Sequence, residues 1–165
     1  MVLVIQAFEA QHAPAVVELI SSVFAEYGMT FDPSDFDRDL LAIQSYYLDR
    51  GGWFFVLSDG GRVVGTVAAL PQSDGACEIK RLYLLAAYRG RGWGRALLEH
   101  ILAQMGCAGH REAVAWSDAR LDTAHRVYTR LGFSRIGDRV LDDIDRSREY
   151  GFRKVLPIRA PGAEL

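Results

Sequence analysis

A short arginine- and glycine-rich segment joins two stretches of regular structure. A β-rich stretch ends near Leu85, and an amphipathic stretch starts near Gly92. Between them, three glycines permit a tight turn whose backbone N–H groups point inward. A helix after such a turn adds its unpaired first N–H groups and the positive end of its dipole. We predict that this turn holds a phosphate group. Its residues are Arg89, Gly90, Arg91, Gly92, Trp93, Gly94 and Arg95.

Charge around this turn is positive, although the chain as a whole is almost neutral. The 165 residues carry 19 basic and 21 acidic side chains, a formal charge of −2, which gives no overall attraction to nucleic acid or to an anionic membrane. Between Ile79 and Leu98, by contrast, there are five basic residues and no acidic ones. A polyanion would therefore have to bind this local patch.

Other glycine-rich sites fit the segment less well. A dinucleotide-binding GxGxxG motif needs a glycine where Arg95 stands, and no Gly-Lys-Ser/Thr follows as in a Walker loop. Arginine-glycine segments that bind RNA are usually repeated and disordered, whereas this one occurs once between strong elements. A glycine-rich turn with a purely structural role remains the alternative.

The order of predicted elements describes one α/β (α+β) domain over residues 1–165. Residues 2–8 alternate as a strand, a helix opens at Pro14, and a second helix runs from Asp32 to Tyr47 and ends at Gly51. Three antiparallel strands follow at 53–57, 63–70 and 77–85, with glycine-containing turns between them.

The second half of the chain begins with a strand–helix–strand unit. A helix at 92–105 and a strand at 112–116 follow the third antiparallel strand, and such units usually pair their strands in parallel. A helix at 121–131 and closing strands at 133–141 and 149–156 complete the domain, and we expect the tail from Pro157 to be frayed.

Cysteine usage and hydropathy exclude several other classes. Cys77 and Cys107 are too few for a disulfide framework and lack zinc-site spacing, so we expect no metal. No apolar run approaches the roughly 18 residues that span a bilayer, and the N-terminus lacks a signal-peptide pattern. We expect a cytoplasmic protein that binds neither a membrane nor nucleic acid.

Two motifs carry a resemblance to a known family. Arg89-x-x-Gly92-x-Gly94 matches the Arg/Gln-x-x-Gly-x-Gly/Ala signature that binds the coenzyme A pyrophosphate. Downstream, Ala124-x-x-Val127-Tyr128-x-x-x-Gly132-Phe133 looks like the α4–β6 segment of the same family. With both motifs at this spacing, the sequence resembles the GNAT superfamily of N-acetyltransferases.

The resemblance implies a fold and a cofactor site. The GNAT-like fold has a central, mixed but mostly antiparallel sheet of about seven strands, splayed between strands 4 and 5, with about four flanking helices. It assigns the amides of the pantetheine arm to the main chain of Leu82, Tyr83 and Leu84. It also implies that residues Arg89 to Arg95 bind the pyrophosphate, mainly through their backbone N–H groups.

The resemblance also implies catalytic roles. Tyr128 stands where the family often has the acid that protonates the leaving thiolate, although a half-buried core tyrosine is the alternative. Glu78, eleven residues before Arg89, is the candidate base. Its alternatives are a strand-start glutamate paired with Lys80 or Arg111, or an ordered water chain as the base. Strand alternation predicts that Glu78 shares a face with Lys80, Leu82 and Leu84.

The implied activity is direct acetyl transfer from acetyl-CoA, as co-substrate, to a primary amine of a small molecule or a peptide or protein. A non-catalytic acyl-CoA-binding regulatory module is the alternative, and an arginine-rich nucleic-acid binder is a third hypothesis. The family also dimerises frequently, so a homodimer is an expectation.

Two further features bear on the site. Many members have asparagine where this chain has Leu121, so Ser117 or Asp118 would have to supply that contact to the pantetheine arm. Residues 26–49 contain six acids and one arginine, which either attract a cationic amine or form a solvated face.

Overall fold

The computed structural model describes residues 2–157. Apart from Pro157, the expected frayed tail lies outside these residues. The strands are β1 (Leu3–Ala7), β2 (Trp53–Asp59), β3 (Arg62–Pro71), β4 (Cys77–Leu84), β5 (Glu112–Asp118), β6 (Ser134–Val140) and β7 (Arg148–Val155). The α-helices are α1 (Ala13–Glu26), α2 (Ile43–Tyr46), α3 (Trp93–Cys107) and α4 (Asp122–Arg130). No helix within the described range is long and apolar enough to cross a membrane.

One seven-stranded sheet runs through the molecule in the order β1-β2-β3-β4-β5-β7-β6. Its neighbours pair antiparallel except for β4 and β5, which are parallel. The β2–β3 hairpin closes through Gly60 and Gly61, both at positive φ (55° and 89°), as its two-residue turn requires. The prediction of a mixed, mostly antiparallel sheet is confirmed.

The sheet splits between β4 and β5. Only three residue pairs join the two strands, from Cys77 opposite Ala113 to Ile79 opposite Ala115. Yet β4 continues to Leu84 and β5 to Asp118. Beyond the third pair the strands separate, and the edges that face each other keep unpaired backbone groups.

Helices cover both faces of the sheet. Apolar residues of α3 pack on one face, where Leu97, Leu98 and Ile101 are fully buried. Those of α1 pack on the other, where Val16 and Ile20 are fully buried. The two cores hold the split strands at fixed positions between them.

The predicted second helix is wrong as a continuous element. Residues 38–41 and 48–50 form 3₁₀ turns around the four-residue α2, and Ala42 between them is not helical (φ −144°, ψ 41°). The reason is that Asp37 and Asp39 both bind Arg81. Residues i and i+2 of an α-helix do not share a face, so a regular helix could not direct both carboxylates to one guanidinium.

The expected alternation along β4 holds up to Lys80 and is wrong for Leu82 and Leu84. Val67 of β3 faces two residues of β4, Arg81 and Leu82, because Ala68 pairs with Lys80 while Thr66 pairs with Tyr83. Arg81 has a positive φ of 57°, and Thr66 Oγ1 donates to its carbonyl at 2.7 Å. The extra residue is a β-bulge, which exchanges the two faces of the strand beyond it.

As a consequence, Leu82 and Leu84 pack on the α3 side of the sheet, together with Cys77 and Ile79. Glu78 alternates with these last two residues and therefore faces the opposite side.

Candidate active site

A cavity of about 410 Å³ opens where β4 and β5 separate. Its walls come from β4, the end of β5, α4, the segment that follows α1, and the β6–β7 region. Both candidate catalytic residues, Glu78 and Tyr128, line it, as do Leu82 and Tyr83 of the candidate cofactor site.

An apolar groove of about 60 Å³ adjoins this cavity and leads toward the glycine turn. Leu82, Tyr83, Leu121 and Ala124 line both spaces, while Gly94 belongs to the groove alone. Leu84 and Arg89 also line the groove. The strand, the turn and the catalytic candidates therefore border one continuous path.

The turn before α3 presents a set of free donors. Gly90 and Gly92 have φ values of 72° and 87°, which favour glycine. The first helical hydrogen bond runs from the Ala96 N–H to the Gly92 carbonyl. Within residues 2–157, no protein acceptor is bound to the N–H groups of residues 90–95. These donors and the dipole of the 15-residue α3 suit a pyrophosphate.

The arginine side chains of this turn are mostly engaged elsewhere. Arg89 forms a bidentate ion pair with Glu26 and donates to the Leu84 carbonyl at 2.9 Å. The hydrogen bond from Arg89 lowers the pKa of Glu26. Arg95 pairs with Glu99, one helical turn away, at 2.8 Å. Anion binding at this turn therefore depends on the main chain more than on these two side chains.

Tyr128 combines a packed ring with a free hydroxyl. Its ring stacks on Phe152 (5.1 Å between centroids) and meets Phe133 edge-on, and the residue is only 4% exposed. The hydroxyl makes no hydrogen bond to any described residue, although Tyr128 lines the cavity. Burial raises the pKa of this phenol, with further contributions from Tyr83 and Glu78, so it stays protonated at neutral pH. The arrangement suits a proton donor.

Glu78 lies on the cavity wall and pairs with Val114 of β5, one residue before Ile79, the last β4 residue that pairs with β5. Its side chain is 18% exposed, and a carboxylate oxygen lies 3.6 Å from Lys80 Nζ, beyond hydrogen-bond distance. Lys80, one of the two neighbours considered, is thus its ionic partner. The loose pairing leaves carboxylate oxygens able to accept a proton.

The sequence did not predict a buried ionic cluster that lies beside the cavity. Arg81 donates to Asp37 at 2.8 Å and to both oxygens of Asp39, and the Tyr47 hydroxyl donates to Asp39 at 2.5 Å. Both aspartates are 4% exposed. Burial raises the pKa of the neighbouring Tyr83 to about 12, although Arg81 opposes the rise. The acidic segment signals one partner of this cluster, but nothing local indicates that Arg81, about 40 residues later, is the other.

The residues considered as substitutes for the family's asparagine already have partners. Ser117 Oγ lies 3.2 Å from His125 Nε2, and Asp118 binds Arg120 through both carboxylate oxygens. Leu121 itself is buried and lines both the cavity and the groove. This wall of the path is apolar where the family pattern has an amide.

Comparison with known proteins agrees with this architecture. The profile of the Acetyltransferase (GNAT) family matches residues 16–133. The chain is 31% identical over 139 residues to the uncharacterized N-acetyltransferase YjgM of Escherichia coli (strain K12), covering 81% of this chain and 83% of that protein. Several other curated relatives are longer, and the chain spans 36–49% of their length.

Solved structures share the fold at low sequence identity. A GNAT acetyltransferase from Staphylococcus aureus Mu50 superposes with a TM-score of 0.85 at 19% identity, covering 94% of this chain and 100% of that one. A phosphinothricin acetyltransferase from Sinorhizobium meliloti, solved with acetyl-CoA, superposes with a TM-score of 0.78 at 19% identity, covering 94% and 89%. On the family profile and the similarity to YjgM, the chain belongs to the acetyltransferase (GNAT) family.

Proposed function

We propose that this protein is an acetyl-CoA-dependent N-acetyltransferase that moves the acetyl group directly to a primary amine. The observation that carries the proposal is the free Tyr128 hydroxyl in a cavity at the split between β4 and β5. The related Sinorhizobium enzyme was solved with acetyl-CoA, which supports the same donor here.

The main chain would bind the donor along the path described above. The N–H groups of residues 90–95 would hold the pyrophosphate, and the free edge of β4 at Leu82, Tyr83 and Leu84 would pair with the pantetheine amides as an added strand does. Gly94 has no side chain to fill the groove beside Leu84 and Val127. The thioester would then reach the cavity that contains Tyr128.

Glu78 would prepare the acceptor. An alkyl ammonium with a pKa near 10.4 is neutral in about one molecule in a thousand at pH 7, so its deprotonation costs roughly 4–5 kcal/mol. Glu78 would take this proton, directly or through water, and leave a neutral amine. The amine nitrogen then forms a bond to the acetyl carbonyl carbon.

Tyr128 would complete the exchange. As the carbon–sulfur bond breaks, the electron pair passes to sulfur, and the Tyr128 hydroxyl donates its proton to the thiolate. The acetylated nitrogen loses its second proton to solvent, which leaves a neutral amide. The products are an N-acetyl amine and coenzyme A with a free thiol. The proton held by Glu78 then returns Tyr128 to its neutral form through solvent.

Thiol release from acetyl-CoA in the presence of an amine panel tests the proposal. Tyr128→Phe should lose turnover and keep its affinity for coenzyme A, because the lost hydroxyl contacts no other residue. Tyr88→Phe is the matched control, since the Tyr88 hydroxyl binds Asp59 at 2.9 Å and lies outside the cavity lining.

Two outcomes would contradict the proposal. Tight coenzyme A binding without turnover of any acceptor would favour the non-catalytic acyl-CoA-binding module. Full turnover by Tyr128→Phe would remove the phenol from the mechanism.

A further inference from the structure

The cavity is far more acidic than the chain as a whole. Nine carboxylate side chains and four cationic side chains line it, and Arg120, outside the lining, pairs with Asp118 and Asp145. With Arg120 included, the formal excess is four negative charges, whereas the whole chain has a formal charge of −2. These five cations do not balance the nine carboxylates. Arg81, for example, faces two aspartates at once, Asp37 and Asp39.

Three of these carboxylates have no basic side chain within ion-pair distance, although Arg120 also attracts Asp143 from farther away. Among the described residues, no basic side chain forms an ion pair with Asp32, Asp35 or Asp143. They stand on two different walls, since Asp32 and Asp35 follow α1 whereas Asp143 lies between β6 and β7. The cavity therefore has unbalanced negative charge on more than one side.

A second observation marks this cavity as a ligand site rather than an acidic surface. Tyr128 is 96% buried, lines the same space and offers a hydroxyl that no described residue binds. The hydroxyl oxygen itself is open to the cavity, since it is not among the buried unpaired polar atoms of the described residues. An open hydroxyl on an otherwise buried side chain is available to a polar group of a bound molecule.

A bridge between two cavity walls restricts the shape of that molecule. Asp145 accepts hydrogen bonds from the Thr30 N–H and the Thr30 hydroxyl, both at 2.7 Å, and Arg120 donates to the Gly28 carbonyl at 3.1 Å. Thr30 and Asp145 both line the cavity. The Thr30–Asp145 contacts join the segment after α1 to the β6–β7 loop, and the Arg120–Gly28 contact joins that segment to the β5–α4 connection. Because the bridge closes the cavity at this point, it obstructs an extended polypeptide there and favours a compact ligand.

We propose that the acceptor is a small di- or polyamine, an inference that rests on the proposed function. One nitrogen reacts beside Tyr128, and the other nitrogens remain ammonium groups bound by the unbalanced carboxylates. The acidic walls alone would raise the pKa of the reacting nitrogen and so oppose its deprotonation. The second ammonium of the same molecule lowers that pKa by like-charge repulsion, which offsets part of this effect.

Three acceptors of equal length provide the test: a linear four-carbon diamine, the corresponding monoamine, and the amino acid that carries a carboxylate at the far end. Initial rates of thiol release are measured with saturating acetyl-CoA. We expect kcat/KM for the diamine to exceed that for the monoamine by about tenfold and to fall as salt is added, with the amino acid slowest.

Charge-neutralising variants locate the effect. Asp35→Asn combined with Asp143→Asn should raise KM for the diamine about fivefold and leave that for the monoamine nearly unchanged. Asp49→Asn is the matched control, because Asp49 belongs to the same acidic segment but binds Gln44 at 2.8 Å outside the cavity lining.

Three outcomes would overturn the inference and leave the proposed transferase activity intact. They are equal turnover of the three acceptors, a preference for the amino acid, and faster turnover of a lysine-containing peptide. Turnover of no acceptor, with coenzyme A bound, would overturn both.

Discussion

The same substitution at two buried tyrosines should have opposite consequences. Tyr128 and Tyr47 are 4% and 0% exposed, and both rings pack against other aromatic rings. Their hydroxyls differ, because that of Tyr47 donates to Asp39 at 2.5 Å whereas that of Tyr128 binds no described residue. Tyrosine-to-phenylalanine variants therefore separate a structural hydroxyl from one that is available for chemistry.

The expected magnitudes follow from these contacts. Tyr47→Phe removes one donor from a buried carboxylate, which costs about 1–3 kcal/mol of unfolding free energy. A domain of this size then loses about 2–4 °C in Tm for each kcal/mol. Tyr128→Phe leaves no group unpaired, so its unfolding free energy should change by less than about 0.5 kcal/mol. Loss of a general acid lowers turnover by about 10²–10⁴, equivalent to roughly 3–5 kcal/mol in the activation barrier.

Urea unfolding, calorimetric coenzyme A titration and thiol release, applied to both variants, measure these effects. The Tyr128→Phe protein could instead be destabilised by more than about 1 kcal/mol and lose turnover only in proportion to the fraction that is unfolded. This outcome would show that the hydroxyl supports packing. That result would refute the assignment of Tyr128 as the acid.

Three further predictions concern the turn and the pH dependence. Gly92→Ala should cost about 1–2 kcal/mol in stability and weaken coenzyme A binding in calorimetry, because the residue has a φ of 87°. Gly94→Ala should instead raise Tm slightly, because alanine favours a helical turn and its Cβ would make ordinary contacts, 3.5 Å from Leu84. The same variant should still weaken coenzyme A binding. Unchanged affinity would argue against a cofactor in this groove. Burial lowers the folded-state pKa of His100, so the unfolded chain takes up the proton first and stability falls below about pH 6.5. His100→Leu should flatten that pH dependence, measured by urea unfolding at pH 5 and pH 7. It should also add about 1 kcal/mol to the free energy of unfolding, because Nε2 is buried without a partner among the described residues.

Local signals predicted the architecture well. The β2–β3 hairpin follows from two glycines that accept positive φ, and α1 follows from apolar spacing after Pro14. The split sheet and the choice of Glu78 and Tyr128 as catalytic candidates came from the family resemblance, which draws on motifs at residues 78–133, and the structure shows that both residues line one cavity.

Long-range contacts account for what the sequence did not predict. The break in the second helix depends on Arg81, which lies 42 residues from Asp39 and has no periodic relation to it. The bulge at Arg81 adds one residue to β4 and thereby reverses the predicted face of Leu82 and Leu84, although the strand composition is ordinary. The Arg89 side chain likewise binds Glu26, 63 residues earlier, in a pairing that no local pattern indicates.

Arg81, at the bulge, must adopt a left-handed backbone and supply a forked positive charge, and no other single residue meets both requirements. Glycine at position 81 would relieve the left-handed backbone but would leave Asp37 and Asp39 buried without a counter-charge. Lysine would keep the charge but could not contact both carboxylates with a planar, forked group. Among homologous chains, we therefore expect this arginine to change only together with the two aspartates, as a three-residue unit of covariation.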